Sequence, residues 1–278
     1  MHDTIETIGK SVIQHGQSNQ RIYLTKIHAD DFPHIIEGLD KLAKENNYSK
    51  IFIKIPASMK EGFNKYGFIE EAYVPGFFNG KEDALFMGKY YSENRNVDPE
   101  MQQVTEIIKL SQAKAASSID KLHLKDYTII QASENDAIEM SEVYKKVFVT
   151  YPFPIHNPGY LVETMKSHIN YFCIRDNNRI VAISSAEMDH KNSNVEMTDF
   201  ATLPEYRGKG FATYLLQRME IEMKHQTFKT SYTIARALSA GMNITFAKLG
   251  YIYGGTLINN TNICGKLESM NVWYKHLS

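Results

Sequence analysis

From residue 195 to 202 the chain has strand character, and strict alternation puts Glu196, Thr198 and Phe200 on one face and Met197, Asp199 and Ala201 on the other. Ten residues on, Ala212, Leu215, Leu216, Met219 and Met223 recur at the spacing of one helical face. Upstream, the pattern predicts a strand at 127–132, a helix beginning near Asn135, a second helix through Met165 and a strand at 171–175. Asp176-Asn177-Asn178 is a hairpin signal, so the run 180–188 should pair antiparallel with that strand. Downstream come a strand at 231–238, a helix at 240–248 closed by Gly250 and Tyr251, and a final strand pair at 251–257 and 269–274. Residues 127–278 therefore read as one α/β (α+β) domain.

Residues 92–126 divide the chain. Their polar start, 92–97, is followed by Asp98 as an N-cap and Pro99 in the first turn, which opens a connecting helix over 100–117. Residues 1–91 form a smaller α/β lobe that contains an echo of the second. Phe63-Asn-Lys-Tyr-Gly-Phe68 and Phe246-Ala-Lys-Leu-Gly-Tyr251 both obey Phe-x-Lys-x-Gly-aromatic, each after a strand-like run, 51–55 or 232–237. Helix ends reuse glycine for backbone reasons, so coincidence competes with duplication.

Between the strand and helix of the first paragraph lies Arg207-Gly208-Lys209-Gly210. Glycines let a backbone approach a ligand, and unpaired N–H groups with the helix dipole suit a pyrophosphate. A dinucleotide fingerprint fits poorly, because Thr213 stands where its third glycine would fall. Arg207-x-x-Gly210-x-Ala212 instead resembles the acetyl-CoA loop of the GNAT superfamily of N-acetyltransferases. That resemblance implies the GNAT acyl-CoA N-acyltransferase fold for residues 127–278, acetyl-CoA as cosubstrate, and a first lobe that is a degenerate partial repeat without its own phosphate loop.

It also implies site residues. Cofactor contacts fall on Ala201, Thr202, Leu203, Arg207, Gly208, Lys209, Gly210, Phe211, Ala212, Thr213, Ser239 and Phe246. Two positions depart from the family pattern: Ser239 replaces an Asn, and Phe246 replaces the Tyr associated with protonating the departing thiolate. Asp199 and Glu196 are the candidate proton acceptors, with the family's spacing favouring Asp199. Freeing a lysine-like amine at pH 7 costs about 4.6 kcal/mol, which gives such a carboxylate its work. Tyr151, Phe153, His156 and Arg236 are the candidate acceptor-binding residues, each with a structural role as its rival.

Across nearly its whole length the chain is similar to the β-lysine N-acetyltransferases, on three signals: Ala84-Leu-Phe-Met-Gly-Lys-Tyr-Tyr91, Tyr151-Pro-Phe-Pro-Ile155, and Glu196-Met-Thr-Asp-Phe-Ala-Thr202. This implies acetylation of the β-lysine side-chain amine to N6-acetyl-β-lysine, a compatible solute. Another small amine or a protein amine is the second enzyme reading. A catalytically silent acyl-CoA-binding regulator is the third, argued from Phe246 and Ser239.

Composition changes the picture little. The 278 residues carry a net charge of −1, 43% hydrophobic and 23% charged residues, so no basic footprint points to nucleic acid or an anionic membrane. Cys173 and Cys264 lie apart in strand-like runs, which argues against a disulfide scaffold or a cysteine metal site. No paired histidines have metal-ligand spacing, and no metal is expected. Without a signal-like or membrane-spanning run, a cytoplasmic location is expected.

Overall fold

The computed structural model describes residues 3–115, 127–149, 151, 153–263 and 265–277. The expected strand at Cys264, the end of the connecting helix and Pro152 of the aromatic loop lie outside them. In chain order the elements are β1 (Thr4–Ile8), β2 (Ser11–Gly16), β3 (Arg21–Lys26), α1 (Ile35–Glu45), β4 (Lys50–Pro56), α2 (Lys60–Asn64), β5 (Ile69–Phe78), β6 (Glu82–Tyr90) and α3 (Met101–Lys114). The second half follows with β7 (Tyr127–Gln131), α4 (Ala137–Val147), α5 (Pro158–Ser167), β8 (Ile169–Asp176), β9 (Arg179–Asp189) and β10 (Asn194–Thr202). It ends with α6 (Phe211–His225), β11 (Thr230–Arg236), α7 (Ala240–Lys248), β12 (Ile252–Ile263) and β13 (Lys266–His276). The β1–β2 hairpin was not read from the sequence, although both strands flank a Gly9-Lys10 turn.

The thirteen strands of the described residues join one sheet, in the order β1-β2-β3-β4-β6-β5-β12-β13-β11-β10-β9-β8-β7. The two halves meet where β5 pairs antiparallel with β12, Ala72 opposite Gly255. Within each half, one pair is parallel: β3 with β4, and β10 with β11.

Among the described residues, three larger cores and a smaller one hold the chain. In the first half α1 buries Ile35, Ile36, Leu39 and Ala43 against Ile22, Leu24, Ile51 and Ile53. In the second, α6 buries Leu215, Leu216, Met219 and Met223, while α4 contributes Met140, Val143 and Tyr144. α6 covers one face, where Ser184 reaches Met219, while its neighbour Ser185 reaches Asp199 of β10 on the opposite face. The third core joins the halves: Phe52, Val74, Phe77 and Phe86 pack against Tyr232, Leu257, Met270 and Val272. Cys173 is a buried free thiol, and α3 rests on the start of α7 through Val104, Ile108 and Ala237.

Candidate active site

β10 and β11 share three rungs, Asn194 with Thr230, Val195 with Ser231 and Glu196 with Tyr232. Beyond Glu196 they are no longer paired, although β10 runs on to Thr202 and β11 to Arg236. The opening between them leads from the glycine loop down to Glu196.

The expected alternation along β10 fails at a bulge. Thr198 stands opposite Ser185 and Ala201 opposite Ile183, so Asp199 and Phe200 together face only Ser184. Asp199 takes the left-handed conformation, φ +55°, which a short polar side chain tolerates best after glycine. Asp199 therefore leaves the face of Met197 and joins that of Glu196. Phe200 goes the other way and meets Phe246 edge-on at 5.7 Å.

Both oxygens of Asp199 are engaged: Tyr151 Oη donates to Oδ1, and Ser185 Oγ donates to Oδ2 at 2.6 Å. Burial pushes this carboxyl above its ordinary value, while these two donors favour its charged form. Burial pushes Glu196 up to about 7, with Lys54 pulling down and Glu187 pushing up. A carboxylate with that value is matched to proton transfer near neutrality.

At the head of α6, Gly208 and Gly210 have φ of +78° and +75°. Gly210 is the N-cap and no side chain caps the helix; the Thr213 N–H turns back to the Gly210 carbonyl at 3.0 Å, which leaves the N–H groups of Phe211 and Ala212 to face a ligand. A Cβ built on Gly208 would meet nothing within 4 Å; the positive φ, and not crowding, calls for glycine here. Ala201, Leu203 and Phe211 bury their side chains, which leaves their main chain for any contact with a cofactor. Thr202, Ala212 and Thr213 are half-buried, and Arg207 and Lys209 are exposed. Lys209 Nζ donates to Tyr127 Oη at 2.7 Å, and Arg207 Nε reaches the Thr202 carbonyl at 3.4 Å.

The other expected residues are spread around this centre. Tyr151 packs on Phe148, ring centroids 4.9 Å apart, and Phe153 joins the same core. His156 Nε2 is buried with no hydrogen-bond partner among the described residues. Arg236 is held by both oxygens of Glu268, at 2.8 and 2.9 Å, on the outer end of β11. Ser239 is the N-cap residue of α7, and its side chain makes no capping hydrogen bond. Phe246 is fully buried and stacks edge-on against Tyr251 at 4.9 Å. The hydroxyls of Tyr251 and Tyr253 are engaged by Ser231 and Thr256.

Several residues near the site were missed. Ser185, Glu187 and Tyr232 needed strand register to be found, and Lys54 and Tyr23 needed the packing of the two halves. Asn243 is also new: it donates to the carbonyls of Arg236 and Ser239 and accepts from Asn271 and Trp273, tying α7 to β11 and β13. Among the described residues no His, Cys, Asp and Glu side chains gather to hold a metal ion, and no helix is long and apolar enough to cross a membrane.

Residues 137–251 match the family model described as Acetyltransferase (GNAT) family. A beta-lysine N(6)-acetyltransferase of Methanococcus maripaludis is 45% identical over 98% of this chain and 98% of its own. The N-acetyltransferase YodP of Bacillus subtilis is 33% identical over 96% of each chain. A beta-lysine N(6)-acetyltransferase of Methanosarcina mazei is 33% identical over 88% of this chain and 98% of its own. With the glycine loop heading α6, the parting of β10 from β11 and relatives matched end to end, this chain belongs to the GNAT family of acetyltransferases and is an acetyl-CoA-dependent N-acetyltransferase.

Proposed function

We propose that the enzyme acetylates the side-chain amine of β-lysine, giving N6-acetyl-β-lysine, with Glu196 as the proton acceptor. The acceptor is supported by near full-length similarity to two proteins named for that reaction. The mechanism rests on one observation: Glu196 stands at the last rung before β10 and β11 part, opposite Tyr232, with its carboxyl at about 7.

Acetyl-CoA supplies a thioester carbonyl when its pyrophosphate lies on the backbone of 207–212 and its arm follows the open edge of β10. Glu196 takes a proton from the acceptor ammonium, and the freed nitrogen adds to the carbonyl carbon. The C–S bond then breaks, and the nitrogen's second proton passes to the departing sulfur, giving the amide and free CoA. A thiol of pKa about 8.5 leaves tolerably as thiolate, so the absence of a hydroxyl at Phe246 does not stop the reaction. Glu196 has a second neighbour in Asp199, whose role we assign to holding Tyr151 and Ser185 in place rather than to carrying the proton.

We further propose that residues 1–91 are a cofactor-free partial duplicate of the acetyltransferase half, joined by 92–126 to the catalytic domain 127–278. The matching order of strands and helices in the two halves supports it. Release of free CoA with β-lysine, α-lysine, spermidine and a lysine peptide tests the acceptor. β-Lysine should give the highest kcat/KM; equal or better use of any other amine overturns the assignment, and binding without turnover on all of them favours a silent regulator.

A further inference from the structure

β4 sends Lys50 and Lys54 toward the second half, with Phe52 between them on the same face. The two lysines have opposite surroundings. Lys50 Nζ lies 2.8 Å from Glu71 Oε2 and 2.8 Å from the Ile258 carbonyl, fully buried and partnered. Lys54 is half-buried and has no carboxylate within 4 Å among the described residues. It donates to Tyr232 Oη at 3.0 Å, and its Nζ stands 5.3 Å from the Tyr23 ring, 5.3 Å from Tyr232 and 5.9 Å from Phe77. Burial works against its charge, yet Tyr23, Tyr232 and Glu196 hold it protonated. An ammonium among rings and hydroxyls, with Glu196 acting on it only from beyond ion-pair contact, leaves a place for an arriving anion. Tyr232, which it touches, is the rung partner of Glu196.

We propose that Lys54 binds the carboxylate of the acceptor, so that the first lobe selects amino-acid acceptors over plain diamines; this rests on the reading that the acceptor is a diamino acid. From the second half, Glu187 stands opposite Glu196 and Asp199 acts on it electrostatically, as Lys54 does with opposite sign from the first, and these carboxylates suit the acceptor's ammonium groups. One lobe thus supplies the cation, the other the carboxylates.

Lys54→Met keeps the length and apolar stem of the side chain, and Lys54→Arg keeps the charge. Both are assayed with acetyl-CoA against β-lysine and against 1,5-diaminopentane, which lacks the carboxylate, with circular dichroism as a check on folding. Lys54→Met should raise KM for β-lysine about 10- to 100-fold, as expected for a lost charged hydrogen bond. KM for the diamine should stay level or fall, acetyl-CoA affinity should not change, and Lys54→Arg should restore part of the loss.

Losing Lys54 also removes a positive charge facing Glu196, alongside Tyr23, Tyr232, Glu187 and Asp199. The acidic limb of the pH profile should therefore move upward for both acceptors alike. Equal loss on both acceptors, or no change in KM for β-lysine, overturns the proposal. If the wild type prefers another amino acid to β-lysine, the acceptor assignment fails while the test of Lys54 stands with that amino acid. If only carboxylate-free amines react, both fail.

Discussion

The two lobes run through the same course. β1-β2-β3-α1-β4-α2-β5-β6 matches β8-β9-β10-α6-β11-α7-β12-β13 in order and in the parallel pair at its centre. They differ where the third strand enters its helix. In the second lobe Gly208 and Gly210 carry the chain through two left-handed residues onto an uncapped helix. The first lobe passes instead through Asp30, Asp31, Phe32 and Pro33. Asp31 accepts from the Lys10 backbone and from Ser11, Pro33 has no N–H to offer, and Glu37 adds negative charge to the first turn of α1.

The rungs differ as well. The third rung of the second lobe is Glu196 with Tyr232; the third of the first lobe is Tyr23 with Phe52, and a fourth, Leu24 with Ile53, keeps the strands together. Strand order alone, then, does not make a cofactor site. Under the function proposed above one loop and one rung do, and the lobe without them is left to shape the acceptor pocket.

Removing what distinguishes the second lobe should cost most at its rung. Glu196→Gln should lower kcat/KM for β-lysine about 10³-fold at pH 8, within the range for loss of a general base. The carboxylate is the active form, so wild-type kcat/KM should be low below pH 7 and rise through about 7. The variant should lose that limb and climb only toward the amine's own pKa, about 10.4. A pH–rate profile with the limb intact in the variant would assign the proton to another group.

Next comes the loop. Gly210→Val forces a β-branched residue into φ +75°, and relaxing it moves the N–H groups at the head of α6. Acetyl-CoA affinity measured by calorimetry should fall on the order of 100-fold, with the folded state retained. Unchanged affinity would remove the pyrophosphate from this loop.

The smallest effect falls on the bulge. Asp199→Asn keeps an acceptor for one of its two donors, so turnover should drop only about 10-fold, with the limb near pH 7 preserved. A loss equal to that of Glu196→Gln, with the limb abolished, would return the base to Asp199.

The sequence carried the second lobe well because its signals are local. A helical stripe from Leu215 to Met223, a glycine loop and the Asn177 turn each act within a few residues. The bulge left no such mark, since Asp199-Phe200-Ala201 reads as ordinary strand and only pairing with β9 exposes the extra residue. Lys54 was illegible for another reason. Its meaning lies in Tyr232, 178 positions away along the chain, and in having no carboxylate in ion-pair contact among the described residues. Phe63 to Phe68 offered only six residues toward the proposed repeat, and the β1–β2 and β8–β9 hairpins, whose pairing spans the two strands of each, lay beyond that short match.

A crystal structure of the enzyme with CoA and N6-acetyl-β-lysine tests the central claim most directly. The account predicts one CoA per chain, its pyrophosphate on residues 207–212, its thiol beside the rung of Glu196 and Tyr232, and the acetylated nitrogen within hydrogen-bond reach of Glu196. A CoA held at α1 of the first lobe, or a product nitrogen remote from Glu196, would contradict it.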